Sequence, residues 1–312
     1  MEAESCDRRA LDIWTRRFGG ESPQAAMSMH NLAELFARQG RYGDAEPLYQ
    51  HALGIREKAF GPESLEAAAT LNGLAAIYLR TDRNGEAEAA ARRGLAIREK
   101  ALGAEAPQLI PILGNLADSL ARQERTEAAE SVWRRALAVG EKSLGPENIQ
   151  LLPILKSLAL TAHAQGHYTE AEGRLRRMVV IAEKTGGLQD AVLATALDLL
   201  GDTYRDDGRF AAAEPHYQRS LAIWERQLGE THPAIAAECG RLAVLYEKLG
   251  RMDDAESFYR RALAILEKRE GPDHPHVAAA LFNYAALLRK MKRKGEARRM
   301  EDRARSIMAS VR

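Results

Sequence analysis

Cysteine is nearly missing: Cys6 and Cys239 are the only two in 312 residues. A chain so poor in thiols has no disulfide framework, which suits a reducing compartment. Neither sign of charge prevails, since 45 Lys and Arg stand against 44 Asp and Glu. That balance removes any global electrostatic case for nucleic acid or an anionic membrane as partner. No uncharged apolar run approaches the ~18 residues of a membrane span, and the opening Met1-Glu2-Ala3-Glu4-Ser5-Cys6-Asp7-Arg8 lacks the apolar core of a secretory signal. A cytoplasmic protein without membrane insertion is expected. A Gly-rich phosphate loop, a Gly-x-Ser-x-Gly elbow and a His-Glu-x-x-His helix are also absent. No catalytic residue, cofactor or enzymatic activity is therefore expected.

What the chain has instead is a period. Arg41, Arg83, Arg125, His167, Arg209, Arg251 and Arg293 recur every 42 residues, and Ala45, Ala87, Ala129, Ala171, Ala213, Ala255 and Ala297 recur with them. A period of this length means one supersecondary unit stacked on copies of itself. Length alone suggests about two ordinary domains, but stacked units need no central core, so one continuous solenoid over 1–312 is the simpler reading.

Each unit reads as two helices. Met29, Leu32, Ala33 and Phe36 fall at i, i+3, i+4 and i+7 and return as Leu71, Leu74, Ala75, Tyr78, one apolar stripe of a helix A. Its small residue, Ala in most copies and Gly201 in the fifth, lets a neighbouring helix approach closely. Ser22, Ser64, Ala106, Asn148, Asp190, His232 and His274 occupy a capping column, with Pro23, Pro107, Pro233 and Pro275 at the next position. Helix B carries Ala45, Tyr49, Ala52, Leu53 and Ile55 inward, repeated as Ala129, Trp133, Ala136, Leu137 and Val139. Helix B starts after the Arg column, where Thr169 with Glu172, and Asp253 with Glu256, have capping-box spacing. Pro47 and Pro215 are placed in its first turn, and the Glu column at 46, 88, 130, 172, 214 and 256 is assigned to the helix dipole. Lys58, Lys100 and Lys142 close the last turn, and Gly61, Gly103, Gly145, Gly187, Gly229 and Gly271 supply a left-handed stop.

The two ends read as caps. Met1 aligns with Gly43, so 1–20 form a lone helix B, with Asp7 in the column of Tyr49. Stacked pairs fill 23–288, and 289–312 form the last turn and a basic capping helix in which Glu301 and Arg305 replace Tyr49 and Leu53.

Leu32-Ala33, Phe36, Ala45, Tyr49 and Ala52 stand at the spacing of the tetratricopeptide repeat, which the chain resembles. Asn31-Leu32-Ala33, Gly40-Arg41-Tyr42, Ile55-Arg56-Glu57-Lys58 and Gly271-Pro272-Asp273-His274-Pro275 resemble its 42-residue kinesin light chain-like subgroup. The heptad segment of a true kinesin light chain is absent. The resemblance implies an all-α, right-handed α-solenoid superhelix of antiparallel helix pairs, about seven repeats plus an N-terminal capping helix. It also implies a concave groove, lined by the A helices, that accepts an extended peptide or a partner helix. In the subgroup, paired asparagines before Leu-Ala contact the peptide backbone. Here those columns hold Asn31, Asn72, Asn115, Arg241 and Asn283 but are broken elsewhere. The family's Lys/Asn carboxylate clamp is not present.

The groove face would further present Glu34, Arg38, Arg80, Asp118, Arg122, Asp202 and Arg205. Arg38, Arg80 and Arg122 read as a ladder able to grip acidic groups bidentately. The function expected is a non-catalytic protein-interaction scaffold or adaptor. An alternative rests on 289–305, where Arg289, Lys290, Lys292, Arg293, Lys294, Arg298, Arg299, Arg303 and Arg305 face three acids, Glu296, Glu301 and Asp302. That helix could dock an acidic partner or nucleic acid, although no aromatic offers a stacking platform. Nucleic acid is not the expected partner, and self-association by end-to-end stacking is a third reading. No metal site is expected: Gly166 separates His163 from His167, and His274 and His276 have no Cys or carboxylate set beside them. Trp14 and Trp224 share a column with Arg56, Arg98 and Leu266 and are expected to be half-exposed; Cys239 is expected to be buried.

Overall fold

The computed structural model describes residues 2–185 and 190–310, and the regular structure among them is entirely helical. The helices are α1 (Glu2–Phe18), α2 (Pro23–Arg38), α3 (Tyr42–Phe60), α4 (Leu65–Arg80), α5 (Asn84–Leu102), α6 (Ile110–Arg122), α7 (Thr126–Leu144) and α8 (Leu152–Ala164), then α9 (Tyr168–Glu183), α10 (Asp190–Asp206), α11 (Phe210–Leu228), α12 (Pro233–Lys248), α13 (Met252–Glu270), α14 (Pro275–Lys290) and α15 (Lys294–Ser310). Adjacent helices pack as antiparallel pairs, A against B, and the repeat is a tetratricopeptide-like solenoid unit. Chain contacts group into two compact units, Met1–Leu158 and Ala159–Arg312.

The A helices begin as the capping column predicts. Ser22 Oγ accepts from Ala25 N at 3.2 Å, Ser64 Oγ from Ala67 N at 3.3 Å and Asn148 Oδ1 from Gln150 N at 2.9 Å. His232 and His274 do the same through Nδ1, each at 3.2 Å. Asp190 departs from the pattern: it is the first residue of α10 and pairs with Arg226 at 2.5 Å.

The B helices begin where expected but without the expected caps. They start directly after the Arg column, and Arg41, Arg83, Arg125, His167, Arg209 and Arg251 sit at the cap with no side-chain cap bond. Thr169 and Asp253 therefore lie inside the first turn, and no capping box forms. From this start Pro47 and Pro215 fall in the second turn of α3 and α11 rather than the first, where each removes one ladder bond.

The Arg column is occupied elsewhere. Each guanidinium reaches the Glu column 37 residues back: Arg41 to Glu4 (3.1 Å), Arg83 to Glu46 (2.7 Å) and Arg125 to Glu88 (2.7 Å) in the first unit. Arg209 to Glu172 (2.7 Å), Arg251 to Glu214 (2.9 Å) and Arg293 to Glu256 (2.6 Å) repeat it in the second. The same guanidinium lies over the ring at the end of its own helix A, 4.0 Å from Phe36, 4.4 Å from Tyr78, 4.5 Å from Tyr204 and 4.3 Å from Tyr246. Glu46, Glu88, Glu172, Glu214 and Glu256 are thus repeat-to-repeat partners, which corrects their assignment to the dipole alone; Glu130 pairs with Arg134 on its own helix.

Both turns need positive φ. Between A and B, Gly40, Gly166, Gly208 and Gly250 have φ of 75–77°, but Asp82, Glu124 and Lys292 hold the same place at 59–65°. Bonds such as Arg41 N to Phe36 O (2.9 Å) and Gly40 N to Ala37 O (3.1 Å) close this turn as a Schellman motif. Between B and A, Gly61, Gly103, Gly145, Gly229 and Gly271 have φ of 82–94° with ψ of 150–161°. That is not the left-handed helical stop expected but an extended region open almost only to glycine. Gly187 lies outside the described residues.

The small column of helix A is buried as expected: Ala33, Ala75 and Ala117 in the first unit and Ala243 and Ala285 in the second are fully enclosed. At Gly201 a Cβ would stand 2.5 Å from the Tyr217 ring, so here the B-helix aromatic comes closer than alanine permits. Cys239 is fully buried and burial pushes its thiol up to about 11, whereas Cys6 is exposed.

Two outcomes test this account. Glu124→Gly relieves a left-handed non-glycine residue and should stabilise the protein by about 0.5–1 kcal/mol, read as a higher denaturant midpoint with unchanged slope. Arg83→Lys keeps the charge but loses the planar stack and the fork onto Glu46 and Glu86; it should lower the midpoint, and an unaltered midpoint would show the linkage to be idle.

Candidate functional site

In the first unit α2 and α4 border a cleft of about 600 Å³ floored by the buried ring of Tyr49. The ring fits because Gly73 stands where the column elsewhere has Asn31 and Asn115; a Cβ there would be 2.6 Å from Tyr49 Cζ. This is the physical reason that the asparagine ladder breaks at this step. Burial pushes the Tyr49 hydroxyl up to about 12. On the wall, His30 is held down to about 4 by burial and by the Arg56 charge, and Arg56 NH1 lies 3.3 Å from its Nδ1. Arg56 is itself buried and donates to Thr70 Oγ1 (2.7 Å) and the Glu66 carbonyl (3.0 Å), a packing role that its column did not suggest.

The expected arginine ladder resolves into three different side chains. Arg38 pairs with Glu34 at 2.5 Å on the cleft rim. Arg122 donates to the Leu79 carbonyl at 2.8 Å and sits 3.9 Å from Asp82. Arg80 lines the cleft, is exposed, and has no hydrogen bond or ion pair of its own among the described residues. Asn115 Nδ2 donates to Asn72 Oδ1 at 3.0 Å, which ties α6 to α4 and uses part of the amide pair. Asn31 and Asn283 are exposed and make no side-chain hydrogen bond among the described residues. Asp118 accepts from Trp133 Nε1 at 3.2 Å, and burial raises its pKa.

In the second unit the same columns carry a denser set of charges on α10 and α12. Asp202 accepts from Tyr217 OH (2.7 Å), Arg205 NH1 (2.8 Å) and Arg241 NH1 (3.2 Å). Burial and the Asp202 carboxylate raise the Tyr217 hydroxyl. Arg205 also forks onto Asp206 at 2.8 and 3.2 Å. Half-buried Trp224 donates to Asp198 Oδ2 at 3.3 Å, while Trp14, also half-buried, packs on Phe18 at 5.5 Å.

One buried pair was not foreseen from sequence. Asp198 and Glu238 are 7% and 6% exposed; Asp198 Oδ1 and Glu238 Oε2 make no hydrogen bond to another group among the described residues, and the Arg241 guanidinium stays at 4.0 Å from Asp198 and 3.8 Å from Glu238. Burial, with the neighbouring Asp198, pushes Glu238 up to about 8, so a proton stays on the pair and satisfies it. Thr203, His163 and Asp206 also fall in series, with His163 Nδ1 3.2 Å from Thr203 Oγ1 and Nε2 3.1 Å from Asp206. The series is not a nucleophile relay: Thr203 is 1% exposed and gives its proton to the Leu199 carbonyl at 2.7 Å.

The basic segment is largely committed. Arg289 forks onto Glu301 (2.6 and 2.7 Å), Lys290 meets Glu247, and Arg293 meets Glu256 and Glu296. Arg303 meets Glu267 at 2.5 Å, and Arg298 and Arg305 lie 3.8 and 3.6 Å from Asp302. Lys292, Lys294 and Arg299 stay outside the ion pairs among the described residues.

The Glu238 proton has a measurable consequence. The folded chain keeps this proton from the ordinary carboxyl range of 4.5 up to about 8, whereas the unfolded chain releases it. The stability it carries is therefore complete at acidic pH and is lost as pH rises through that window. Glu238→Gln should flatten the decline, and the difference from wild type in urea midpoint should grow toward pH 8; parallel curves would refute the retained proton.

No curated protein matches the chain significantly. Among solved structures, BtubC (BKLC) from P. vanneervenii aligns with a TM-score of 0.64 at 22% identity, over 73% of this chain and 92% of that one. A putative kinesin light chain with nearly identical TPR-like repeats from Podosopora anserina gives 0.57 at 23%, over 67% and 99%. The STAND protein with a tetratricopeptide repeat sensor from Pyrococcus horikoshii gives 0.74 at 13%, over 97% of this chain but 43% of that one. At these identities the likeness concerns the fold. The tetratricopeptide repeat model matches residues 1–58, 30–100, 108–184, 192–238 and 236–310, nearly the whole length, and the chain therefore belongs to the tetratricopeptide repeat family.

Proposed function

We propose that the protein is a non-catalytic scaffold that holds an acidic segment of a partner protein on the A-helix face of its first unit. The observation that carries this reading is Arg80, an exposed guanidinium on the cleft that makes no hydrogen bond or ion pair among the described residues and feels only the more distant Asp118 charge, beside Asn72 and the Arg38–Glu34 pair. A carboxylate entering there takes two parallel N–H bonds from Arg80, and the buried Tyr49 ring gives the segment a rigid floor. Because the surface is preformed by helices, binding costs chiefly the ordering of the ligand. Family membership supports a protein partner, since repeats of this kind present extended surfaces between stacked helices.

The second reading, docking through the basic last helix, has less to draw on. Six of the nine cations of 289–305 are engaged by carboxylates of the protein itself, which cancels most of the charge that phosphates would require.

The two readings separate in one experiment. A partner captured from native extract is titrated against wild type, Arg80→Glu and the triple variant Lys292→Glu/Lys294→Glu/Arg299→Glu. Arg80→Glu should weaken binding about tenfold or more, the worth of a charged hydrogen bond plus repulsion, while the triple variant binds as wild type. The reverse ranking would remove the cleft from consideration.

A further inference from the structure

The α13–α14 turn has a near twin one repeat earlier, and the twin shows which of its residues are not needed to build it. Between α11 and α12 the chain runs Leu228, Gly229, then His232, Pro233, Ala234; between α13 and α14 it runs Glu270, Gly271, then His274, Pro275, His276. Both turns have the same glycine conformation, φ 82° and ψ 150° against φ 94° and ψ 157°. Both cap the following helix through the imidazole Nδ1, which accepts from the backbone N–H two residues on at 3.2 Å. Leu228 and Ala234 therefore suffice for the turn. Glu270 and His276 are additions, and both bear ligand atoms.

Those additions converge on the cap. Glu270 Oε2 lies 2.7 Å from His274 Nδ1 and 2.9 Å from His276 Nδ1, and the three ligand atoms lie within 4.8 Å of one another. The sequence reading placed no carboxylate beside these histidines. It missed Glu270, which ends the preceding helix and is folded back by the Gly271 turn. The chemistry of the contact is unbalanced without a positive centre. A carboxylate oxygen only accepts, and the Nδ1 lone pair of His274 already serves as the acceptor for His276 N–H, so two electron-rich atoms face each other at 2.7 Å. A proton can sit there, and so can a metal ion.

We propose that Glu270, His274 and His276 form a three-ligand site for a divalent transition ion of the zinc class. Two imidazoles and one carboxylate are the donor set of open zinc sites, with Zn–N of about 2.0–2.1 Å and Zn–O of about 2.0–2.2 Å. The ligand atoms converge on one point, and Glu270 Oε2 has only to draw back by about half an ångström from the two imidazoles to reach the separations that such bonds impose; imidazole nitrogen also disfavours calcium and magnesium, which take oxygen donors. The ion takes over the Nδ1 lone pair that caps α14. Its charge at that helix start is offset by Glu270 and by the partial negative charge at the end of α13. His276 is two-thirds exposed, so the remaining coordination position opens to water or to a donor from a partner molecule.

The test uses the full chain and restores the twin turn. Wild type, His276→Ala and the double variant Glu270→Leu/His276→Ala are titrated with Zn²⁺ by calorimetry and with Co²⁺ by visible absorption, with circular dichroism as a check on helical content. Wild type should bind one ion more than the double variant. His276→Ala alone should lose at least the 10–100-fold in affinity, roughly, that removal of a mere supporting residue costs at zinc sites. The six histidines elsewhere in the chain contribute equally to all three proteins and cancel in the comparison. Equal stoichiometry and affinity in wild type and double variant, with helical content unchanged, would overturn the site.

Discussion

The close approach of helix A to helix B governs what the exposed face can offer. A small residue on A admits a large aromatic side chain from B, and at Trp133, Tyr217 and Tyr259 the polar tip of the buried ring finds an acceptor. The acceptor is recruited from helix A: Asp118 for Trp133, Asp202 for Tyr217, Glu247 for Tyr259 at 2.6 Å. These acids look from sequence like surface charge, yet each is half committed to holding a ring. The face is therefore a residue of packing decisions, and the groups left over, Arg80 first among them, are those that packing did not claim.

A second layer of order runs along the B helices. At four of the A–B turns, those of Arg41, Arg83, Arg209 and Arg251, the arginine stacks on the last ring of its own helix A and reaches a glutamate of the preceding helix B, so one side chain joins three helices. Its value is directional more than energetic. Exposed ion pairs are worth little singly, but a planar cation clamped between a ring and a carboxylate permits few placements of one repeat on the next.

The fold was legible because it is written in columns. Apolar stripes at 3.6-residue spacing, capping side chains ahead of helix A, and glycine after most B helices name their structure locally, and the 42-residue period repeats the statement. Long-range polar pairing was not legible. The Arg–Glu linkage spans 37 residues, a distance that is neither a helical spacing nor the repeat. Glu270 was hidden for a related reason, since it belongs by sequence to one helix and by geometry to the next. The candidate groove residues were placed on the right helices, but the competition for Asn115, Asp118 and Asp202 is a matter of side-chain reach that no column records. The buried Asp198–Glu238 pair left no signal at all, because a lone acid on an amphipathic helix reads as solvated.

The unequal settings of the two cysteines make the chain its own reporter. Cys6 is open to a thiol reagent, whereas Cys239 is sealed within the second unit with its thiolate disfavoured by burial. Reagent uptake in the native protein therefore occurs at one end immediately, and a second equivalent enters only when the packing around α12 opens. The rate of that slower uptake measures local opening of the second unit, without a label, a substitution or a known ligand.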